Sequence, residues 1–114
     1  MNRKFINANY DSPVEIHMAI KRVCDETLVK TGEKKRIPEL YQDLILYGVS
    51  NIKKGDRLSV SSLSGQIVKT IFYIDRNTRE QIDELFDSSA DMSMGQKYDI
   101  ILEYSLKKLY KINL

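Results

Sequence analysis

The chain holds one cysteine and one histidine among its 114 residues. Cys24 alone cannot build an internal disulfide framework, and with only His17 beside it the chain cannot supply a Cys/His zinc cage. This sparing cysteine use points to a reducing, cytoplasmic compartment. No run approaches the roughly 20 apolar residues that a membrane helix needs, so no membrane association is expected. Met1-Asn2-Arg3-Lys4 is basic, but no apolar segment follows it, and a secretory leader is not expected. Charge of one sign is also scarce. The net charge is +2, divided as +3 over residues 1–57 and −1 over residues 58–114. A surplus this weak does not by itself predict nucleic-acid binding.

Catalytic patterns are equally thin. His17 lies beside Met18 in a helical pattern and reads as a partly exposed helix residue. Cys24 adjoins the apolar stripe at Val23 and reads as core filler. Asp83, Glu84 and Asp87 form an acidic helix face that solvent accounts for. The serine-rich stretch 59–64 lacks a G-x-S-x-G turn and any phosphate-loop spacing. Tyr41, Tyr47, Tyr98 and Tyr104 stand at helical spacing and read as core or interface, and Met92 and Met94 as apolar packing. No enzyme, no cofactor and no metal are expected.

What the chain does have is an internal repeat. Tyr41, Leu44, Ile45 and Tyr47 match Tyr98, Ile101, Leu102 and Tyr104 at a constant offset of 57. Both segments carry apolar residues at helical spacing: Ile37, Leu40, Tyr41, Leu44 and Ile45 in the first, Tyr98, Ile101, Leu102, Leu106 and Leu109 in the second. Pro38 suits a first helical turn, where its missing N–H has no partner to lose. Ser93 with Gln96 reads as a capping box.

A further helix precedes each of these. Ser12-Pro13-Val14-Glu15 predicts a helix start with Ser12 as N-cap, and Gly32 is a natural stop. Ile16, Ile20, Val23 and Thr27 fall on one face. In the second half Asn77 with Glu80 predicts a shorter helix with Ile82, Leu85 and Phe86 as its apolar stripe and Ser88-Ser89 as its end. Before each of these lies an extended segment. In Phe5-Ile6-Asn7-Ala8-Asn9-Tyr10, residues 6, 8 and 10 share one face. Lys69-Thr70-Ile71-Phe72-Tyr73-Ile74-Asp75 is rich in β-branched and aromatic residues. The segments close on Asp11 and Asp75. The order is therefore strand–helix–helix, twice: a first unit over 1–50, a connector over 51–67 and a second unit over 68–114. Arg57-Leu58-Ser59-Val60 suggests a short extra strand inside the connector; a solvated linker explains it as well.

On these residues, Ile6–Tyr10 followed by a helix and Glu39–Leu44 echoed by Gln96–Ile101, the chain resembles the ribbon-helix-helix superfamily of DNA-binding proteins, to which the Arc and MetJ repressors belong. The resemblance spans both halves and omits the connector. It implies a mainly α fold with a short two-stranded antiparallel ribbon. Because both copies lie in one chain, it implies a tandem pseudo-dimer similar to the TraY-type accessory proteins of conjugation. One unit of about 45 residues cannot bury a sufficient core, and an isolated two-stranded ribbon is marginal in water, so two interlocked copies solve both problems. Ile6, Ala8, Tyr10, Thr70, Phe72 and Ile74 are then expected to face inward.

The resemblance further implies that the outward side chains of the ribbon meet base edges in the major groove of double-stranded DNA. These are Phe5, Asn7 and Asn9 on one strand and Lys69, Ile71 and Tyr73 on the other. Asparagine suits adenine, lysine guanine, and Ile71 a thymine methyl. Two unlike strands imply an asymmetric site. Phosphate contacts are expected at the starts of the second helices, from Lys34, Lys35 and Arg36 and from Ser93, Gly95 and Lys97, with Arg3 and Lys4 as an arm. The implied roles are an accessory factor of plasmid transfer or maintenance, with a relaxase or other mobile-element protein as partner and further self-association on DNA, or a transcriptional repressor. The alternative is a protein-interaction module that keeps the fold without binding DNA, suggested by the acidic second half and by Ile71 with Tyr73.

Overall fold

The computed structural model describes residues 5–53, 58, 63–86 and 92–114. Arg3, Lys4, Asp87, the Ser88-Ser89 helix stop and, Leu58 apart, the extra strand suggested over 57–60 lie outside the described residues. The elements run β1 (Phe5–Pro13), α1 (Val14–Thr31), α2 (Ile37–Asn51), β2 (Ile67–Asp75), α3 (Arg76–Leu85) and α4 (Met94–Tyr110). Among the described residues the fold is therefore mainly helical, with one two-stranded antiparallel sheet. No helix among the described residues is long and apolar enough to cross a membrane.

β1 and β2 pair over nine rungs, from Phe5 opposite Asp75 to Pro13 opposite Ile67. Alternation along each strand sends successive side chains to opposite faces. Ala8, Tyr10, Phe72 and Ile74 are buried on the inner face, and Ile6 and Thr70 are half-buried there. That inner face lies on α2 and α4, which pack against each other. The contacts cross between halves: α2 lies against β2 and α3, while α4 lies against β1 and α1.

Several local signals read from the sequence hold. Gly32 closes α1 in the left-handed conformation at φ 73°, which glycine adopts without a Cβ penalty. Ser93 and Gln96 form the full capping box at the start of α4. Others need correction. Ser12 is not the N-cap of α1, because strand pairing continues through Pro13 and turns the Ser12 side chain into the core. Glu15, whose place three residues after Ser12 suits a reciprocal cap, instead accepts from the Ser64 backbone N–H at 2.8 Å, next to a Val14 N–H to Gln66 carbonyl bond of 2.9 Å. These two bonds strap the end of the connector to the start of α1. Asp11 lies inside β1 rather than at its end. In the second half the cap is Asp75, whose carboxylate accepts from the Thr78 N–H at 2.6 Å, and Asn77 is already helical. Leu109 is not core but exposed on the last turn of α4, and Thr27 is half-buried, its hydroxyl donating to the Val23 carbonyl.

α2 packs tightly on α4 at Gly48. A Cβ there would run into Ile101 Cγ2 and come within 2.9 Å of Ser105 Oγ. Ser105 is fully buried and donates to the Leu44 carbonyl at 2.7 Å, so neither neighbour is free to withdraw. Gly48→Val should therefore lower the unfolding free energy by about 1–3 kcal/mol through overpacking, on the order of 5–15 °C in Tm for a domain of this size. Thermal melts followed by circular dichroism check this, and an unchanged Tm would contradict the close packing.

Candidate nucleic-acid interface

The outer face of the ribbon is built by default. Every second side chain of β1 and β2 must point away from the helices, and the described residues place no further layer above them. Five outward rungs result: Phe5 opposite Asp75, Asn7 opposite Tyr73, Asn9 opposite Ile71, Asp11 opposite Lys69, and Pro13 opposite Ile67. All six residues expected to meet bases, Phe5, Asn7, Asn9, Lys69, Ile71 and Tyr73, lie exposed on this one face. Large apolar groups are conspicuous on it, with Phe5 61%, Ile71 53% and Tyr73 51% accessible. No hydrogen bond or ion pair to a described residue engages the side chains of Asn7, Asn9 or Lys69.

Sequence reasoning missed the two aspartates of the row. Asp75 is turned to its capping role at α3. Asp11 remains exposed beside Lys69. The continued alternation past Tyr10 was the signal for Asp11. The sole lysine of the outer row thus has a carboxylate on the opposite strand, and the face carries little positive charge of its own.

The ribbon is held level from beneath by aromatic and polar anchors. Tyr10, Tyr41, Phe72 and Tyr98 come from β1, α2, β2 and α4 respectively and cluster with ring centroids 5.4–6.2 Å apart. Tyr41 stacks on Phe72 at an interplanar angle of 6°. The Tyr10 hydroxyl donates to the Asp99 carboxylate. Burial and that carboxylate push the Tyr10 phenol far above its ordinary value, and burial also raises Asp99. The Tyr41 hydroxyl donates to Ser12 Oγ at 2.8 Å, and burial pushes its pKa up to about 12. Its oxygen is then left to accept from the Nδ1–H of His17 at 2.9 Å, which assigns the imidazole tautomer. His17 is thus the partly exposed helix residue expected, and its ring serves as a prop under the ribbon.

The expected phosphate-contact residues fall into two unlike groups. At the start of α2, Lys34 and Arg36 are exposed, while Lys35 is ion-paired with Asp43. Arg36 is the N-cap residue, and no side chain caps the first N–H groups of α2. At the start of α4 the corresponding groups are engaged within the chain. Ser93 accepts from Gln96 N–H, Gly95 is half-buried, and the Lys97 ammonium donates to Asp83 at 3.3 Å. Neither aspartate partner was legible, because separations of 8 and 14 residues are not helical neighbour spacings. A shallow groove of about 390 Å³ beside the α2 start is lined by Lys21, Cys24, Leu28, Lys34, Lys35 and Arg36, among others. Among the described residues no group of His, Cys, Asp and Glu is placed to hold a metal ion.

Burial, with the nearby Lys21 charge second, lowers the His17 pKa from its ordinary value of 6.5. The stability that His17 contributes is fully present above that value and is lost as the pH falls from there toward the folded-state pKa. Wild type should therefore lose more stability between about pH 7.5 and pH 5 than His17→Gln does. Denaturant melts at both pH values check this, as does NMR titration of the single imidazole, whose midpoint should fall below 6.5. A raised midpoint would contradict it. Comparison of the chain with family models, with curated proteins and with solved structures gives no match.

Proposed function

We propose that this protein binds double-stranded DNA by laying its ribbon in the major groove. Its two strand–helix–helix units, 1–50 and 68–114, act as tandem ribbon-helix-helix repeats closed into a pseudo-dimer across the connector 51–67. The single observation that carries the reading is the exposed outer face of a two-stranded ribbon that rests on four helices. Such a ribbon, with strands about 4.8 Å apart, fits a groove about 12 Å wide.

Two further features support the tandem arrangement. The strand and first helix of each unit correspond at an offset of 62, with Tyr10 to Phe72 and Ile20 to Ile82, whereas the second helices correspond at 57. The five-residue difference arises because α1 has 18 residues and α3 has 10, while the helix–helix connection is five residues in the first unit and eight in the second. The crossed packing of α2 on β2 and α4 on β1 is what interlocked repeats require.

On this reading Lys34 and Arg36 at the uncapped start of α2 make the main phosphate contacts, joined by Arg3 and Lys4. Ser93, Gly95 and Lys97 contribute less while their intramolecular bonds persist. The protein acts in the cytoplasm and not as an enzyme. Its role is that of an accessory factor of plasmid transfer or maintenance, working with a relaxase or another mobile-element protein and associating further along DNA, or that of a transcriptional repressor. The apolar exposure of Phe5, Ile71 and Tyr73 favours one second reading, a protein-interaction module on the same fold.

Titration of a mixed-sequence duplex by fluorescence anisotropy at several salt concentrations separates the two. The DNA reading predicts a steep fall of log K with log salt. Replacing Lys34 and Arg36 together by alanine should weaken all sequences alike and flatten the slope by about 2. Asp43→Asn, which releases Lys35 from an exposed ion pair, should raise affinity at a stability cost of no more than about 1 kcal/mol. Binding that is absent, or indifferent to salt, contradicts the DNA reading.

A further inference from the structure

The register of the ribbon carries information that the outward residues lack when taken one by one. Nine rungs run from Phe5–Asp75 to Pro13–Ile67, and the fifth, at the centre, is Asn9 opposite Ile71. Both side chains are exposed on the outer face. Directly opposed residues of an antiparallel pair hold their Cβ atoms about 4.5–5.5 Å apart on the same face. The two side chains therefore reach the same small patch of any surface laid against the ribbon. One is a carboxamide with a donor and an acceptor side by side; the other is a hydrocarbon with neither.

We infer that this middle rung reads a single A·T base pair, Asn9 pairing with adenine N6 and N7 and Ile71 covering the 5-methyl of the thymine on the other strand. The inference rests on the groove reading above and adds the base pair. The major-groove edge of A·T presents an acceptor and a donor on adenine, with a methyl group on thymine. The carboxamide complements the first two, and the isoleucine needs only the third. A G·C pair in the same place presents two acceptors to the amide and sets the cytosine N4–H₂ donor against Ile71, where it loses its water with nothing to bond. The reversed T·A pair puts the methyl against the amide and the adenine polar edge against the hydrocarbon. The rung thus selects both base composition and strand orientation. The asymmetry of the site then starts at its centre and not only at its flanks. No described residue engages the Asn9 amide, so the group is free for this role.

The test begins with selection from a duplex pool containing a randomised ten-base-pair window, at one fixed salt concentration. The tightest-binding duplex is then remade with each thymine in turn replaced by uracil and each adenine in turn by 7-deazaadenine. One thymine should stand out, its replacement weakening binding about fourfold, the value of one buried methyl. Ile71→Ala should abolish that particular penalty, and Ile71→Val should retain it in part. Asn9→Ala should lose about 5- to 150-fold of discrimination at the adenine paired with that thymine, leaving the salt slope of wild type. Both residues are exposed, so unchanged circular dichroism verifies that the variants fold. Duplex binding in which no thymine methyl matters, or in which the Ile71 and Asn9 effects map to different base pairs, overturns the inference alone. Absence of salt-dependent binding to every duplex in the pool overturns the groove reading and the inference with it.

Discussion

Four aromatic rings decide this structure. Tyr10, Tyr41, Phe72 and Tyr98 belong to two strands and two helices separated by up to 88 residues, yet they meet in one cluster beneath the ribbon. Tyr41 and Phe72 have no accessible surface at all. Full burial of side chains this large contributes about 1.5–3 kcal/mol each, and edge and stacked ring contacts add about 0.5–1.5 kcal/mol per pair. An isolated two-stranded ribbon is marginal in water. The cluster makes it persist, because neither strand can leave without opening the aromatic core.

The polar groups in that core follow from the same constraint. Two tyrosine hydroxyls buried among rings need partners, since an unpaired buried hydroxyl is costly. Tyr10 finds Asp99 on α4, and Tyr41 finds Ser12 and His17. The Tyr10–Asp99 and Tyr41–Ser12 bonds each join a strand to a helix of the layer below, and the Tyr41–His17 bond ties α2 to α1. The inner face is thereby fixed in register, and because side chains alternate, the outer face is fixed with it. A slip of one residue would bury Asn9 and expose Tyr10. The exposed row is thus a consequence of the buried one, which links the packing of the helices to the chemistry presented above the ribbon.

Much of this was legible in the chain itself. The 57-residue repeat, the alternation over residues 5–10, the β-branched and aromatic run over 69–75, Gly32 as a helix stop and the Ser93–Gln96 box all correspond to features of the fold. Local rules succeed where the stabilising partner is local. They failed at Ser12, which has the chemistry of a cap, because a tyrosine 29 positions away competes for its hydroxyl. They also misplaced the second-unit cap, taking Asn77 where Asp75 serves. Of the candidate site, the shared face of Phe5, Asn7 and Asn9 was readable from period-two alternation, whereas Lys69, Ile71 and Tyr73 came as an outward set only with the family resemblance. The pairings Lys35–Asp43 and Lys97–Asp83 were not, since nothing in sequence spacing announces which carboxylate a long lysine side chain will reach across a helix junction.

A ribbon closed by the two halves of one chain differs physically from one closed between two chains, because only the former brings two unlike strands together at any concentration. Isotope-filtered NOE spectroscopy on an equimolar mixture of ¹³C-labelled and unlabelled protein, refolded together, distinguishes them directly. The account predicts cross-strand NOEs between Ala8 and Phe72 and between Tyr10 and Thr70 within labelled chains, with none from a labelled to an unlabelled chain. Cross-strand NOEs that appear only between chains would contradict it.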